Sequence, residues 1–499
     1  MRGRLLWIGV LAAMAGACGT DEPGEDQDPA GQDLGRMELD LGAGDQGQQG
    51  GDQGGEDMAG QPDQAADDMS QDLDETLDMT VDMTAAPDMA PDMAPDMMPD
   101  MAPPPTCGSL LNTNITIDVD PSGEAGQYYS RTAFDGDGVW IVYSRPESAQ
   151  VRDESLFVAR YGCDGALLAA PTMVSQGAGF RDLSPSIAVG PEHIYVAYNA
   201  EETANNTQRV MLRVLRKDGT PVTPAPVEIT PLNGGGDPIS TLVWEPDIVA
   251  LPNGAGALVV AAAALGADAT FQIVAQRVDA SNMRSGQGFV IYEEKGVEQH
   301  YPSVNMSPSG VATVAWTRGD PFNPMAARVV FTTLAAGANS APAPSPANPA
   351  NNTQDNQLCA LSKEALAGGE VFLAFQTDQS GAADLGLREV TQGAPLRVET
   401  MGAGNRFDLR PTVSAGPTTG VVGWLRGNTS PVQNLLVLQP FNHAGAPMKG
   451  AERIIQTATP VRPPFGPGIT HVAGTTFFVT WSEGASSSAA RVKGRFITL

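Results

Sequence analysis

The stretch Tyr301–Arg318, YPSVNMSPSGVATVAWTR, recurs in altered form along most of the chain, and that recurrence limits the folds open to it. It reads as two short strands about a Ser-Pro-Ser-Gly turn, with apolar residues at alternate positions as a half-buried pleat requires. Related hairpins stand at 184–199, 245–262, 409–426 and 465–482, and weaker ones at 130–145 and 357–376. Aligned on Thr132, Pro185, Pro246, Pro302, Leu358, Pro411 and Pro467, the seven copies are separated by 53, 61, 56, 56, 53 and 56 residues. Steps that even, sustained over more than 300 residues, mean supersecondary units packed side by side.

The second strand of each unit ends on a large ring at Tyr143, Tyr198, Trp316, Phe375, Trp424 and Trp481, as a packing layer between sheets needs; the third unit has Val260 and Ala261 there instead. Third strands follow, and most units continue into a fourth short apolar segment, such as Pro226–Ile229 or Arg453–Ile455. Unit four departs, because Gly337–Asn352 is mostly Ala, Pro and Asn, so its fourth strand is expected to be missing, short or displaced. The last unit stops after its third strand, while Asn114–Val119 stands as a lone strand before the first hairpin. Putting that lone strand into the last unit closes a circle. The predicted fold is all-β: a seven-bladed β-propeller of four-stranded blades, closed by the N-terminal strand and preceded by a disordered acidic tail. A two-sheet sandwich or tandem small β domains is the rival architecture.

The pattern of Pro, alternating apolar residues, Ser-Pro-Ser-Gly and an apolar strand, clearest at Pro302–Trp316, resembles the TolB-type propeller repeat of bacterial periplasmic proteins. The resemblance covers the hairpins only and implies the fold, not a TolB-like function.

Composition divides the chain into segments 1–18, 19–106 and 107–499. Segment 19–106 holds 24 acidic residues against the single Arg36, a net charge of -23, and has no Phe, Trp or Tyr. Such a segment cannot bury enough apolar surface to order itself. Its end, Ala86–Met101, repeats Pro-Asp-Met-Ala, which favours an extended chain. From Cys107 onward 26 basic and 34 acidic residues nearly balance, so neither part is expected to bind nucleic acid. Residues 1–18 have a basic start at Arg2 and Arg4, an apolar run and Ala15-Gly16-Ala17-Cys18. This resembles a bacterial lipoprotein signal peptide, with Ala15 where Leu is usual. The resemblance implies lipidation at Cys18, a membrane anchor through that lipid, and, because Gly19 follows, sorting to the outer membrane with the head facing periplasm or surface.

Three cysteines remain in the exported chain. Cys107 precedes the first strand and Cys163 lies in the turn of YGCDGA, so both belong near the closing seam and are expected to form a disulfide; Cys359 reads as a small buried hydrophobe.

Catalytic signals are thin. The sequence has no metal-ligand, nucleophile-elbow or phosphate-loop motif and only four histidines, so no catalytic residue, metal or cofactor is assigned. Asp118, Asp120, Ser122 and Glu124 alternate oxygens as calcium loops do, but lack the closing bidentate carboxylate and read as a turn. In a propeller the loops entering the first strand and leaving the second gather around the channel on one face. There the repeat places Arg145, Arg181, His300, Tyr301 and Arg318, together with Asp320, Arg410, Arg426 and Glu483, as a candidate binding face rich in guanidinium groups suited to carboxylate or sugar ligands. The resulting expectation is a monomeric, lipid-anchored envelope module that binds a protein or a glycan. A propeller-based glycan hydrolase or lyase and a structural envelope protein are the alternatives.

Overall fold

The computed structural model describes residue 107 and most of residues 115–499; segments 1–18 and 19–106 lie outside the described residues. The described chain forms seven four-stranded antiparallel sheets, arranged as the blades of a β-propeller. Their innermost strands are Tyr128–Phe134, Phe180–Val189, Val243–Ala250, Gln299–Met306, Asn356–Leu361, Phe407–Ala415 and Gly468–Ala473. Each lies beside the next, and the seventh returns to the first. In blade 4 the fourth strand survives as the two residues Ser345–Pro346, paired with Val330 and Phe331.

The ring closes through blade 7. Thr116–Asp118 pairs with Arg491–Thr498 in the register Thr116↔Arg495, Ile117↔Gly494 and Asp118↔Lys493. A side chain at Gly494 would not fit, because its Cβ would lie 2.5 Å from the Phe478 ring. Side chains reinforce this short pairing. Lys493 pairs with Asp118, Arg495 donates to the Thr116 hydroxyl, and the Tyr161 hydroxyl of blade 1 donates to the carbonyl of Asp118 at 2.9 Å. Cys107 and Cys163 are joined in a disulfide, with Cα atoms 5.2 Å apart.

The core is a set of apolar layers between neighbouring blades, such as Val249, Leu258 and Val260 of blade 3 against Val304, Val314 and Trp316 of blade 4. The ring residue that ends each second strand has a specific partner. In blade 4 His300 pairs with Thr317 and Ser303 with Ala315, so Tyr301 and Pro302 together oppose Trp316. This two-against-one bulge recurs opposite Tyr143, Tyr198, Ala261, Phe375 and Trp424. The first bulge residue has a left-handed backbone in six blades: Tyr129, Ser184, Glu245, Tyr301, Leu358 and Arg410, with φ of 50°, 49°, 52°, 53°, 47° and 56°. The second is Pro in blades 2, 3, 4 and 6, where a bulge leaves the amide without a ladder partner and proline loses nothing. Equivalence therefore runs through Ser130 and Cys359 rather than Thr132 and Leu358. Blades 1 and 5 lack the Pro that marks the position elsewhere.

Candidate functional site

The bulges turn one end of the central channel into a cup of about 240 Å³. A left-handed residue aims its side chain away from the direction that strand alternation would give it, so each bulge presents its first residue to the channel wall. Tyr129, Glu245, Tyr301 and Arg410 line the cup in this way, joined by Arg131. Non-glycine residues in such a conformation cost on the order of 1 kcal/mol each and persist only when the surroundings hold them. Here ladder pairs hold the strand on both sides of each bulge.

The other end of the channel is crossed by the hairpin turn of blade 5. Lys363 places its ammonium 2.5 Å from the Asp247 carboxylate of blade 3 and donates to the Val304 carbonyl of blade 4 at 3.0 Å. Its neighbour Glu364 accepts from Ser414 of blade 6 and Thr470 of blade 7, both at 2.9 Å. One turn thus ties four other blades together across the floor. Asp247 is the hub, also accepting from Ser186 at 2.5 Å, Ser303 at 3.1 Å and the Val304 amide at 2.8 Å. Burial alone would raise its carboxyl pKa, but Lys363 and these donors hold it below the ordinary value. Its acceptor capacity is spent, so it is a floor strut rather than a reactive group.

Glu245 differs. It accepts the Tyr301 amide at 2.8 Å, and burial pushes its carboxyl up to about 7 against the opposing pull of His300, that amide and Arg410. Burial likewise raises the Tyr129 and Tyr301 hydroxyls and lowers the Arg131 and Arg410 guanidiniums. These groups lie deep in the ring yet face the channel: Arg131 is exposed, and Tyr129, Glu245, Tyr301 and Arg410 are partly so. Among the described residues neither Arg131 nor Arg410 has a carboxylate within ion-pair distance. An aromatic path, Trp244 to Phe271 to His300 to Tyr301, leads away from the rim with centroid spacings of 4.9, 4.9 and 6.1 Å. Next to the cup, burial and then the Glu201 charge push Glu154 up to about 7 in spite of Arg181.

Of the residues singled out by sequence, the structure brings Tyr301 and Arg410 into the cup. His300 packs behind Tyr301 and lies 3.6 Å from Glu298, and Arg181 sits beside Glu154. The remaining arginines are held within their own surroundings. Arg318 forms a two-pronged pair with Glu294, with Nε 2.7 Å from the carboxylate. Arg426, only 3% exposed, does the same with Glu452 at 2.6 and 3.1 Å. Arg145 lies 2.7 Å from Asp120 and 2.9 Å from Glu124, stacked over Phe157, so the alternating oxygens of that turn serve the closing seam. Glu483 accepts the Trp481 indole at 2.8 Å, and Asp320 lies outside the described residues. Cys359 occupies the second bulge position of blade 5. Its thiol donates to the Tyr301 carbonyl at 3.3 Å, and burial raises its pKa, which leaves it an unreactive wall residue. Glu245, Arg131 and Tyr129 were not among the assigned site residues; Pro246 marks the bulge beside Glu245, but Ser130 stands where that Pro would mark it beside Tyr129 and Arg131.

No family model and no curated protein matches the chain. Among solved structures it is similar in fold to a Dyadobacter fermentans protein of unknown function, at 8% identity and a TM-score of 0.47, covering 78% of this chain and 99% of that one. A polysaccharide lyase, Uly1, is similar at 11% identity and a TM-score of 0.46 over 74% of this chain and 90% of that one. A Trypanosoma rangeli sialidase is similar at 10% identity and a TM-score of 0.44, over 69% and 60% respectively. At such identities the likeness concerns architecture alone.

Proposed function

We propose that this chain is a lipid-anchored cell-envelope module that takes the end of a glycan or protein ligand into the blind cup of its propeller. The observation that supports this reading is the ring of left-handed bulges, which holds Tyr129, Glu245, Tyr301 and Arg410 around one void while the Lys363–Glu364 turn closes the far side. A void with aromatic faces, a carboxyl group and cations that have no carboxylate within ion-pair distance among the described residues is suited to a small polar ligand. In this reading Cys18 carries the lipid, the acidic segment spaces the head from the outer membrane, and the head acts as a monomer. Binding of the exported chain to a glycan array and to envelope extract, compared with Tyr301→Ala, tests the cup; unchanged capture by the variant counts against it. Loss of labelled-palmitate incorporation in Cys18→Ala tests the anchor.

A glycan hydrolase or lyase is the second reading, and one observation favours it: Glu154 and Glu245 both titrate near neutrality, where a proton can be given or taken. Turnover of a captured glycan that disappears in Glu245→Gln would establish it. Capture without turnover would leave the module a binder.

A further inference from the structure

We infer that the cup recognises a carboxylate, carried by an acidic sugar at the end of a glycan, through the paired guanidiniums of Arg131 and Arg410. The inference rests on the reading of the cup as a ligand site and names the ligand class.

Arg131 belongs to blade 1 and Arg410 to blade 6, so blade 7 stands between them. At that place blade 7 has Gly466-Pro467-Gly468. The glycines are required by space: a Cβ on Gly466 would lie 2.7 Å from the Arg410 carbonyl, and one on Gly468 would lie 3.2 Å from the Ser130 carbonyl and 3.3 Å from the Arg131 Cα. The wall between the two arginines therefore carries only the Pro467 ring between two glycines, and both arginines line the same cup. Arg410 is close enough to oppose the charge of Arg131, and among the described residues no carboxylate lies within ion-pair distance of either, although Asp247 acts on Arg131 and Glu245 on Arg410 from farther away.

The charge balance of the cup favours an anion. Asp247 is already matched by Lys363 on the floor, and Glu245 faces His300, Tyr129, Tyr301 and Arg410. Two forked cations flanking one opening fit the two oxygens of a carboxylate, which can accept in-plane pairs of N–H groups. Beyond the notch the wall offers the Tyr129 and Tyr301 rings and the Glu245 carboxyl, a mixture of apolar faces and hydrogen-bonding groups that suits a sugar ring. A void of about 240 Å³ has room for one such ring and no extended peptide.

The test uses the exported full-length chain and four probes: glucuronate, glucuronamide, glucose and N-acetylalanine, each titrated by calorimetry and by protein NMR. Glucuronate is expected to bind about tenfold or more tighter than glucuronamide and glucose, a difference of about 1.4 kcal/mol. Arg131→Gln and Arg410→Gln are each expected to erase that preference. The comparison of acid with amide on the unaltered protein decides the matter even if a variant folds poorly. Equal binding of glucuronate, glucuronamide and glucose overturns the carboxylate assignment while the cup stands as a ligand site. Tighter binding of N-acetylalanine overturns the sugar in favour of a peptide terminus. If none of the four perturbs the cup residues, both the inference and the underlying reading fall.

Discussion

Lys363 reaches from the hairpin turn of blade 5 across the channel to Asp247 of blade 3, with nitrogen and oxygen 2.5 Å apart. The two residues are 116 positions apart in the chain, and the contact joins blades that are not neighbours. A pair of this kind resists distortion of the ring as a whole, where ladder hydrogen bonds act only within one blade. Asp247→Ala would strand Lys363 and remove an acceptor from Ser186, Ser303 and Val304. It is expected to cost about 3 kcal/mol, and Lys363→Met, whose partner keeps other donors, about 1 kcal/mol less. Urea unfolding of the two variants checks the order.

Closure depends on a three-residue pairing. Gly494→Val places atoms against the Phe478 ring beneath Ile117, and overpacking of this kind costs about 1–3 kcal/mol. Deleting residues 114–119 removes the outer strand of blade 7 altogether and is expected to lower the melting temperature further. Calorimetric scans of both variants make the comparison; a deletion that melts like the parent would mean that the ring does not need its N-terminal strand.

Glu245 predicts a pH dependence. Its carboxyl is raised from 4.5 to about 7 in the folded chain, so the native state holds a proton that the unfolded state has already released. Stability therefore falls as pH rises from about 4.5 through about 7. Glu245→Gln, uncharged throughout, is expected to flatten the decline in this window. Glu154, also raised to about 7, contributes the same sign and should leave a residual slope that Glu154→Gln removes. Melting temperatures across the window for the parent, the two single variants and the double variant report both.

Arg318 and Arg426 should behave oppositely to Arg410. Arg318 is bound to Glu294 in the connection from blade 3 to blade 4, and Arg426 to Glu452 of its own blade. Arg426→Ala leaves a buried stacking position over Trp424 empty and is expected to cost about 2 kcal/mol with ligand affinity unchanged. Arg318, more exposed, should cost about 1 kcal/mol or less. Arg410→Gln should leave melting nearly unchanged and reduce affinity. Paired denaturation and binding titrations separate the two classes.

Much of the architecture was legible because β-structure writes itself in alternation. The apolar positions of Tyr301–Arg318, the evenly placed rings and the unmatched strands at the two ends of the domain together imply seven blades and their closure. The site was less legible for a physical reason. Whether Tyr301 faces the channel depends on the one-residue bulge opposite Trp316, and a bulge shifts every side chain before it relative to those after it. Pro185, Pro246, Pro302 and Pro411 mark that place, but Ser130 and Cys359 do not, so Tyr129 and Arg131 of blade 1 could not be aligned with Glu245 and Tyr301 from residue types alone. Arg318 and Arg426 read as available for the complementary reason. Their partners lie 24 residues back and 26 residues onward, across an intervening strand, at no spacing that periodicity marks.

The Cys107–Cys163 bond also has a mechanical meaning. The strand that completes blade 7 lies downstream of Cys107, and a three-residue strand peels easily when pulled from its end. Because Cys107 is bonded to blade 1, tension arriving along residues 1–106 passes through sulfur into Tyr128–Met173 and bypasses Thr116–Asp118. With the bond intact a pull on the segment before Cys107 leaves the closing strand unloaded; reduction would hand that load to a three-residue pairing.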